Sequence, residues 1–345
     1  MTSTTDFDYH LPPESIAQTP AEPRESANLM VVDRKTYANT HHHVLDLPTF
    51  FHSGDVIVIN NTKVFKCRLF GTIQTASGIL KTIELFLVKP ITATTWMALL
   101  KPGKACTVDM IISIADQFQA TILEKHTDGT VIVSFPMETD RVIDLANVYG
   151  HVPNPPYIKT EPTALQYQTS YAKVVGSVAA PTAGFHLTPA IRKAMLERGV
   201  TFVEITLHVG LGTFLPIKSD SLDTHVMHAE WVSVSKESAD TINAAKQEHR
   251  RVIAIGTTTV RTLEGVAQAH HGTLQPFSGD INIFICPGFH FSVIDGMLTN
   301  FHLPKSTLLV LVSAFVNRET ILRCYLDAIA SHFRFYSFGD AMLII

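Results

Sequence analysis

The spacing of apolar and polar positions divides the chain into three regions. Residues 1–50 are weakly periodic and interrupted by Pro12, Pro13, Pro20 and Pro23, so short connected pieces are expected there instead of a long helix. The run His41-His42-His43 looks like a metal tract, but adjacent side chains on a strand alternate faces, so it reads as an exposed polar stretch. From Asp55 the pattern becomes DVIVIN, KCRLFGTI, TIELFLV, TWMALL, TVDMIISI, QATILEK and TVIVSF, short strands separated by turn residues. That region predicts a small antiparallel β-barrel at 64–150, inserted into a discontinuous main domain of 1–63 and 151–345. The proline-rich HVPNPPYI, His151 to Ile158, reads as a stiff linker at its end.

Beyond Ala164 helical and strand periods alternate. TPAIRKAMLERG has a threonine cap, proline at the first helical position and a closing glycine. FVEITLHV, RVIAIG, INIFI and AMLII read as strands, and KESADTINAAKQEHR, STLLVLVSAF and ETILRCYLDAIASHF as helices. The alternation predicts an α/β main domain with a mixed sheet and helices on its faces. Four turns rich in Gly, Thr and His should then fall at strand ends, where an open α/β sheet gathers its ligand.

Composition narrows the class. In 345 residues, 46% of them hydrophobic, the chain has ample material for two domains. Cys67, Cys106, Cys286 and Cys324 form no CxxC pair, which argues against a zinc ribbon or a disulfide framework and for a reducing compartment. The polar N-terminus does not resemble a signal peptide, and no apolar run reaches the roughly 20 residues of a membrane span, so a cytoplasmic protein is expected. The net charge of −4 is uneven. Residues 55–105 carry seven basic and two acidic side chains, a balance of +5 that leaves −9 for the remainder. A basic module on an acidic body suits contact with a phosphate backbone, with Lys63, Lys66, Arg68, Lys101 and Lys104 as the candidates.

Candidate chemistry lies in the strand-end turns. VIAI followed by GTTTVRTLE reads as a strand, a tight turn and a helix start, a place that favours a carboxylate or another anion. It lacks both the three-glycine dinucleotide pattern and the Walker lysine. Gly256 allows close approach of backbone, and the hydroxyls of Thr257, Thr258 and Thr259 can cap the helix. Arg261 then lies about one turn in, either paired with Glu264 on the surface or oriented by it toward an anion. In HVMHAE, a helix would put His225 and His228 on one face as metal ligands, whereas the following WVSVS favours a strand on which His228 and Glu230 share a face. No metal is expected. A metal-dependent hydrolase and a noncatalytic RNA-binding protein remain the alternative classes.

The words VAAPTAGFH, LHVGLGTF, HVMHAE, AIGTTTVRTLE, LTNFHLPKSTLLVLVSAF and FRFYSFGDAML, taken in order, closely resemble the S-adenosylmethionine:tRNA ribosyltransferase-isomerase family of queuosine biosynthesis. LPPESIAQTPAEPRESANLMVVDR, GDVIVINNTKVFKCRLFG and GHVPNPPYI extend the resemblance over nearly the whole chain, thinning between Thr72 and Thr139. Asn28, Val175, Ser177 and Leu211 depart from the expected pattern. The resemblance implies an enzyme that consumes S-adenosylmethionine as ribosyl donor, without a further cofactor. It implies a tRNA acceptor bearing 7-aminomethyl-7-deazaguanine in the anticodon loop, at the wobble position. Epoxyqueuosine-tRNA, adenine and methionine would be the products, and the protein would act as a monomer. It places His186, His208 and His302 in catalysis, one of them as a base titrating near neutrality. Gly256, Thr257, Thr258, Thr259, Arg261, Glu264, His228 and Glu230 would bind substrate, with Phe185 and Phe214 facing the sulfonium.

Overall fold

The computed structural model describes residues 3–74, 78–153, 157–210, 219, 221–225, 227 and 229–345. Strands β1 (Asn28–Val32), β2 (Asn39–His43), β3 (Val56–Asn60) and β4 (Thr62–Val64) come first. Then follow β5 (Arg68–Gln74), β6 (Leu80–Pro90), β7 (Thr95–Lys101), β8 (Ile111–Ala115), β9 (Phe118–Lys125), β10 (Thr130–Ser134) and helix α1 (Thr139–Tyr149). The chain continues through β11 (Val174–Ser177), α2 (Pro189–Glu197), β12 (Thr201–Leu207), β13 (Glu230–Val234), α3 (Lys236–Gln247), β14 (Val252–Ile255) and α4 (Thr257–Ala269). It ends with β15 (Phe277–Ile281), β16 (Gly296–Asn300), α5 (Thr307–Phe315), α6 (Arg318–Ala330) and β17 (Ala341–Ile344).

Among the described residues the main sheet has the order β15-β13-β12-β3-β14-β16-β17-β1-β2 and is mixed. Its centre, β12-β3-β14-β16, is parallel throughout. Alternation explains why these strands read as continuous apolar runs. Val56 and Val58 of β3 join the core under α3 to α6, while Ile57 and Ile59 join the core under α2 and the Val44–Phe50 turn. Val252 and Ala254 of β14 divide from Ile253 and Ile255 in the same way. Both faces are covered, as a parallel sheet requires.

The helices begin where the sequence caps them. The Thr188 side chain accepts from the Ile191 amide, with Pro189 opening α2 and Gly199 at φ +83° beyond its end. Ser235, Ser306 and Asn317 cap α3, α5 and α6 likewise. INIFI, however, does not continue the sheet. The β13–β15 ladder ends at Glu230 opposite Ile281, and residues 282–285 lie in no strand. Ile283 is instead buried against Gly265 of α4, where a methyl would lie 3.4 Å from it.

Strands β5 to β10 close into a barrel of order β10-β7-β6-β5-β8-β9, antiparallel at every seam. Its interior holds Leu69, Ile83, Leu85, Trp96, Ile112, Phe118 and Val133, every second residue of their strands, as a half-buried strand requires. Helix α1, which the periodicity did not reveal, packs Val142 and Ala146 onto this core. The segments leading into and out of the barrel are tied side by side, because β4 pairs in parallel with β11 and the Phe65 amide donates to the Ser177 carbonyl at 3.3 Å.

Gly150 ends α1 at this junction. A methyl there would overlap the Lys66 carbonyl oxygen, lie 2.6 Å from that of Ala146 and press on Leu69 at 3.0 Å. Gly150→Ala should therefore cost about 1–3 kcal/mol through overpacking. Urea unfolding followed by fluorescence of the two tryptophans, Trp96 in the barrel and Trp231 in the main sheet, would check it. An unchanged midpoint would show that the junction yields freely.

Candidate active site

The carboxyl ends of β12, β3, β14 and β16 lie next to one another, with His208, Asn60, Gly256 and Asn300 there, whereas the Thr182–His186 turn follows β11 and Glu230 opens β13. Asn60 joins β12 and β3: its amide oxygen accepts from the Leu207 and Thr62 amides at 3.0 and 3.1 Å, and its nitrogen donates to the Leu207 carbonyl at 3.0 Å. The same nitrogen lies 3.5 Å from the Thr258 hydroxyl, which brings in the start of α4. Gly256 makes that turn at φ +85°, and its amide donates to Leu298 of β16 at 2.7 Å. The hydroxyls do not cap the helix as expected. Thr259 donates backward to the Ile255 carbonyl at 2.7 Å and Thr262 to that of Thr258 at 3.0 Å, because a helical threonine reaches the preceding turn more easily than the free amides ahead. Helix α4 thus starts without a side-chain cap.

Arg261 is 3% exposed and Glu230 5%. Glu230 accepts from Arg261 Nη1 in a buried ion pair and accepts from the Gly210 amide at 3.1 Å. The Nε and Nη2 donors of Arg261 have no partner among the described residues. Leaving a buried donor unmet costs about 1–3 kcal/mol, and two adjacent ones form the edge of the guanidinium that matches a carboxylate bidentately. Glu264 corrects the sequence expectation. It neither pairs with Arg261 on the surface nor orients it, because its carboxylate accepts from the amides of Ser292, Val293 and Ile294 at 2.8, 3.0 and 3.0 Å. Burial raises its pKa, and those three amides act in the opposite direction. Glu264 fixes a loop; Glu230 orients the arginine.

The three histidines sit in three separate hydrogen-bond groups. Thr182–His186 is a short 3-10 turn packed on the start of α4, where Ala183 Cβ would be 3.5 Å from a methyl on Gly256. The Asn300 amide at the end of β16 lies 3.1 Å from His186 Nε2 and accepts from the Thr182 hydroxyl at 3.3 Å. Burial first, then the Arg24 and Arg334 cations, push the His186 pKa down to about 3. His208 stacks on Trp231, with ring centroids 4.9 Å apart at 18°, and shares a 2.8 Å hydrogen bond between Nδ1 and the Thr62 hydroxyl. Its Nε2 faces Gly176, where a methyl would come within 2.5 Å. Burial lowers its pKa to about 4. His302 has its own set of partners. It bonds Thr299 at 2.9 Å, its amide donates to the Tyr325 hydroxyl at 3.1 Å, and Tyr9 donates to its carbonyl. Its pKa falls to about 3, again through burial. None of the three titrates near neutrality, because each is taken out of water without a carboxylate to hold its charge.

Phe185 packs on Phe338, centroids 6.1 Å apart, with the Arg24 guanidinium 4.6 Å above its ring. Phe214 and His228 lie outside the described residues. Of the basic candidates, Lys63, Lys66, Lys101 and Lys104 have no carboxylate partner among the described residues, whereas Arg68 is held by Glu84 at 2.9 Å and is not a free cation. No group of three or more His, Cys, Asp and Glu among the described residues is placed to hold a metal ion. Sequence reasoning passed over Asn60, Asn300 and Asp340. The buried Asp340 carboxylate accepts from the Asn28 amide and side chain at 3.1 and 2.9 Å and from the Arg334 amide at 2.8 Å. That contact gives the departure at Asn28 a structural role. Ser177, another departure, accepts from the Val209 amide at 2.9 Å and ties β11 to the end of β12. The one signal available for these residues was a polar residue closing an apolar run, as in VIVIN and MLTN.

A mixed sheet with its polar motifs at the carboxyl ends of parallel strands, joined to a closed antiparallel barrel, defines a two-module α/β protein whose site is made of buried side chains and a helix start. The chain belongs to the family described as queuosine biosynthesis protein, whose sequence profile matches residues 4–344. It is 45% identical over 343 residues to the S-adenosylmethionine:tRNA ribosyltransferase-isomerase of Heliobacterium modesticaldum, covering 98% of both chains. The protein of the same name from Moorella thermoacetica is 46% identical over 342 residues, with 99% of each chain covered. Among solved structures, the S-adenosylmethionine tRNA ribosyltransferase of Thermotoga maritima matches at 31% identity and a TM-score of 0.55, over 99% of this chain and 100% of that one.

Depressed histidine pKa values make stability depend on pH with a definite sign. Between pH 6.5 and about 4 the unfolded chain takes up protons that the native state refuses, so stability is full above 6.5 and is lost as pH falls. Each buried histidine contributes a slope approaching about 1.4 kcal/mol per pH unit. Melting temperature should fall from pH 7 to pH 5, and His302→Gln should flatten that fall by roughly one histidine's share. Parallel melting profiles for the variant and the parent would refute the assignment.

Proposed function

We propose that this chain transfers the ribosyl unit of S-adenosylmethionine to the aminomethyl group of 7-aminomethyl-7-deazaguanine at the wobble position of a tRNA. In the same reaction the unit isomerises to an epoxycyclopentanediol, giving epoxyqueuosine-tRNA with release of adenine and methionine. Support comes from the names of the relatives and from one feature of the site, the free edge of Arg261. A nine-tenths-buried guanidinium with two unmet donors matches the carboxylate of a methionine moiety, and Glu230 keeps it in register. The positive sulfur of the donor acidifies the adjacent carbon, and a ring nitrogen of His186 or His208 takes the proton in this reading. The donor is consumed, so no further cofactor is invoked. The reading puts the protein in the cytoplasm as a monomer; no helix among the described residues is long and apolar enough to cross a membrane.

Incubation with S-adenosylmethionine and precursor-bearing tRNA should release free adenine, read by chromatography. Release of S-adenosylhomocysteine instead would indicate methyl transfer and refute the proposal. Arg261→Lys, which keeps the charge and loses the fork, should raise KM for S-adenosylmethionine at least tenfold, about 1.4 kcal/mol, with the melting temperature little changed. A fall in tRNA affinity with KM for the donor unmoved would assign the arginine to a phosphate.

A further inference from the structure

Where the barrel meets the main sheet, the surface opens into a cavity of about 650 Å³. Lys63 and Lys66, from the segment leading into the barrel, line it together with Leu165, Gln168, Thr169, Arg24 and Phe185. The lining contains three cations and no carboxylate, in a chain whose net charge is −4. Lys63 and Lys66 have no carboxylate partner among the described residues, and Arg24 spends one donor on the Gln166 carbonyl at 2.6 Å. Leu165 stands 89% exposed at the rim, an apolar side chain in water beside free positive charge. Thr169 is buried in the lining with its hydroxyl unpartnered.

These features select the occupant. A peptide adding as a strand would need the free edge of β4, but the Gln168 side chain already takes both the amide and the carbonyl of Val64, at 3.2 and 3.1 Å. Alternating anionic and flat apolar groups, by contrast, fit cations spaced along a recess with apolar surface between them. We infer that this groove holds an unpaired strand of RNA, its phosphates on Lys63, Lys66 and Arg24 and a base against Leu165. Together with Phe185, Arg24 also lines a second cavity, of about 10 Å³ and so roughly one water, that contains His186. Arg24 and Phe185 therefore divide the RNA groove from the histidine, and a phosphate that draws the guanidinium outward uncovers His186 from that side.

The inference deepens the proposed function, yet its test needs no ribosyl transfer. Binding of a 17-nucleotide anticodon stem-loop RNA is measured by fluorescence anisotropy at several salt concentrations, with S-adenosylmethionine absent. Changing Lys63 and Lys66 together to Glu should weaken binding at least tenfold and flatten the salt dependence by about 1.4 in log–log slope, near 0.7 per lost phosphate contact. Arg24→Gln should weaken it less, and Lys81→Glu on the barrel should change it little. The inference is overturned if the Lys63 and Lys66 variant binds as the parent does, or if Lys101→Glu with Lys104→Glu carries the loss instead. A poly-glutamate peptide that competes as well as RNA of equal charge would overturn it too. Intact RNA binding with no adenine release would sink the proposed function and leave the groove standing; adenine release with unaltered binding in the groove variants would do the reverse.

Discussion

A buried charge that is only partly compensated sets the terms for this site. Arg261 is carried into the protein by a helix that starts at the carboxyl end of β14, and Glu230 meets it from the first residue of β13. Removing a cation from water costs several kcal/mol, which one well-placed carboxylate offsets but five donors from a single acceptor do not satisfy. Glu230 is itself held by the Gly210 amide just past β12, so the pair joins β12, β13 and α4 in one electrostatic unit. The geometry follows from strand order: β13 neighbours β12, and β3 alone separates β12 from the β14 strand that leads into α4. Asn60 closes β3 onto β12 through both the oxygen and the nitrogen of its amide.

Much of this architecture is legible in the chain because the local signals agree with one another. Period-two alternation over TIELFLV and TWMALL gives barrel strands, unbroken apolar runs such as VIVI and VIAI give strands buried on both faces, and Thr188, Ser235 and Ser306 mark helix starts. Failures occur where a segment depends on distant partners or lacks a start signal. INIFI has strand composition but pairs no further than Ile281 among the described residues, and α1 opens on Glu138 without a side-chain cap to mark its start. At the site, Arg261, Glu230 and Glu264 could each be named from sequence, but not which acid holds the arginine. Glu264 is three residues away and faces the 292–294 amides; Glu230 is 31 positions away and makes the bond. Helical spacing shows only what lies along one element, and this choice is made across three.

The barrel and the sheet are joined in a way that makes a groove. Parallel pairing of β4 with β11 fixes the two connecting segments side by side, and the Gln168 amide seals the remaining edge of Val64. An edge sealed by a side chain cannot template another strand, so the wall stays open for a ligand that needs no backbone ladder. The basic bias of residues 55–105 is then only partly a surface property. Arg68 and Lys89 are neutralised by Glu84 and Asp280, whereas Lys63 and Lys66, the two that line the groove, are not.

Neutral histidines are consistent with such a site. On the proposed function, a donor bearing a sulfonium would bring a positive charge into a space of low dielectric, where a second cation 4 Å away would cost about 4 kcal/mol at an effective dielectric of 20. A histidine titrating near neutrality would be protonated in part of the population and would repel that donor. His186 and His208, held below the physiological range by burial, present uncharged rings instead. The same burial keeps them compatible with a cationic ligand, and the buried cation Arg261 is aligned and offset by Glu230. Desolvation disfavours the charged form of arginine and histidine alike; the outcomes differ because Glu230 pairs with Arg261, whereas no carboxylate among the described residues meets His186 or His208.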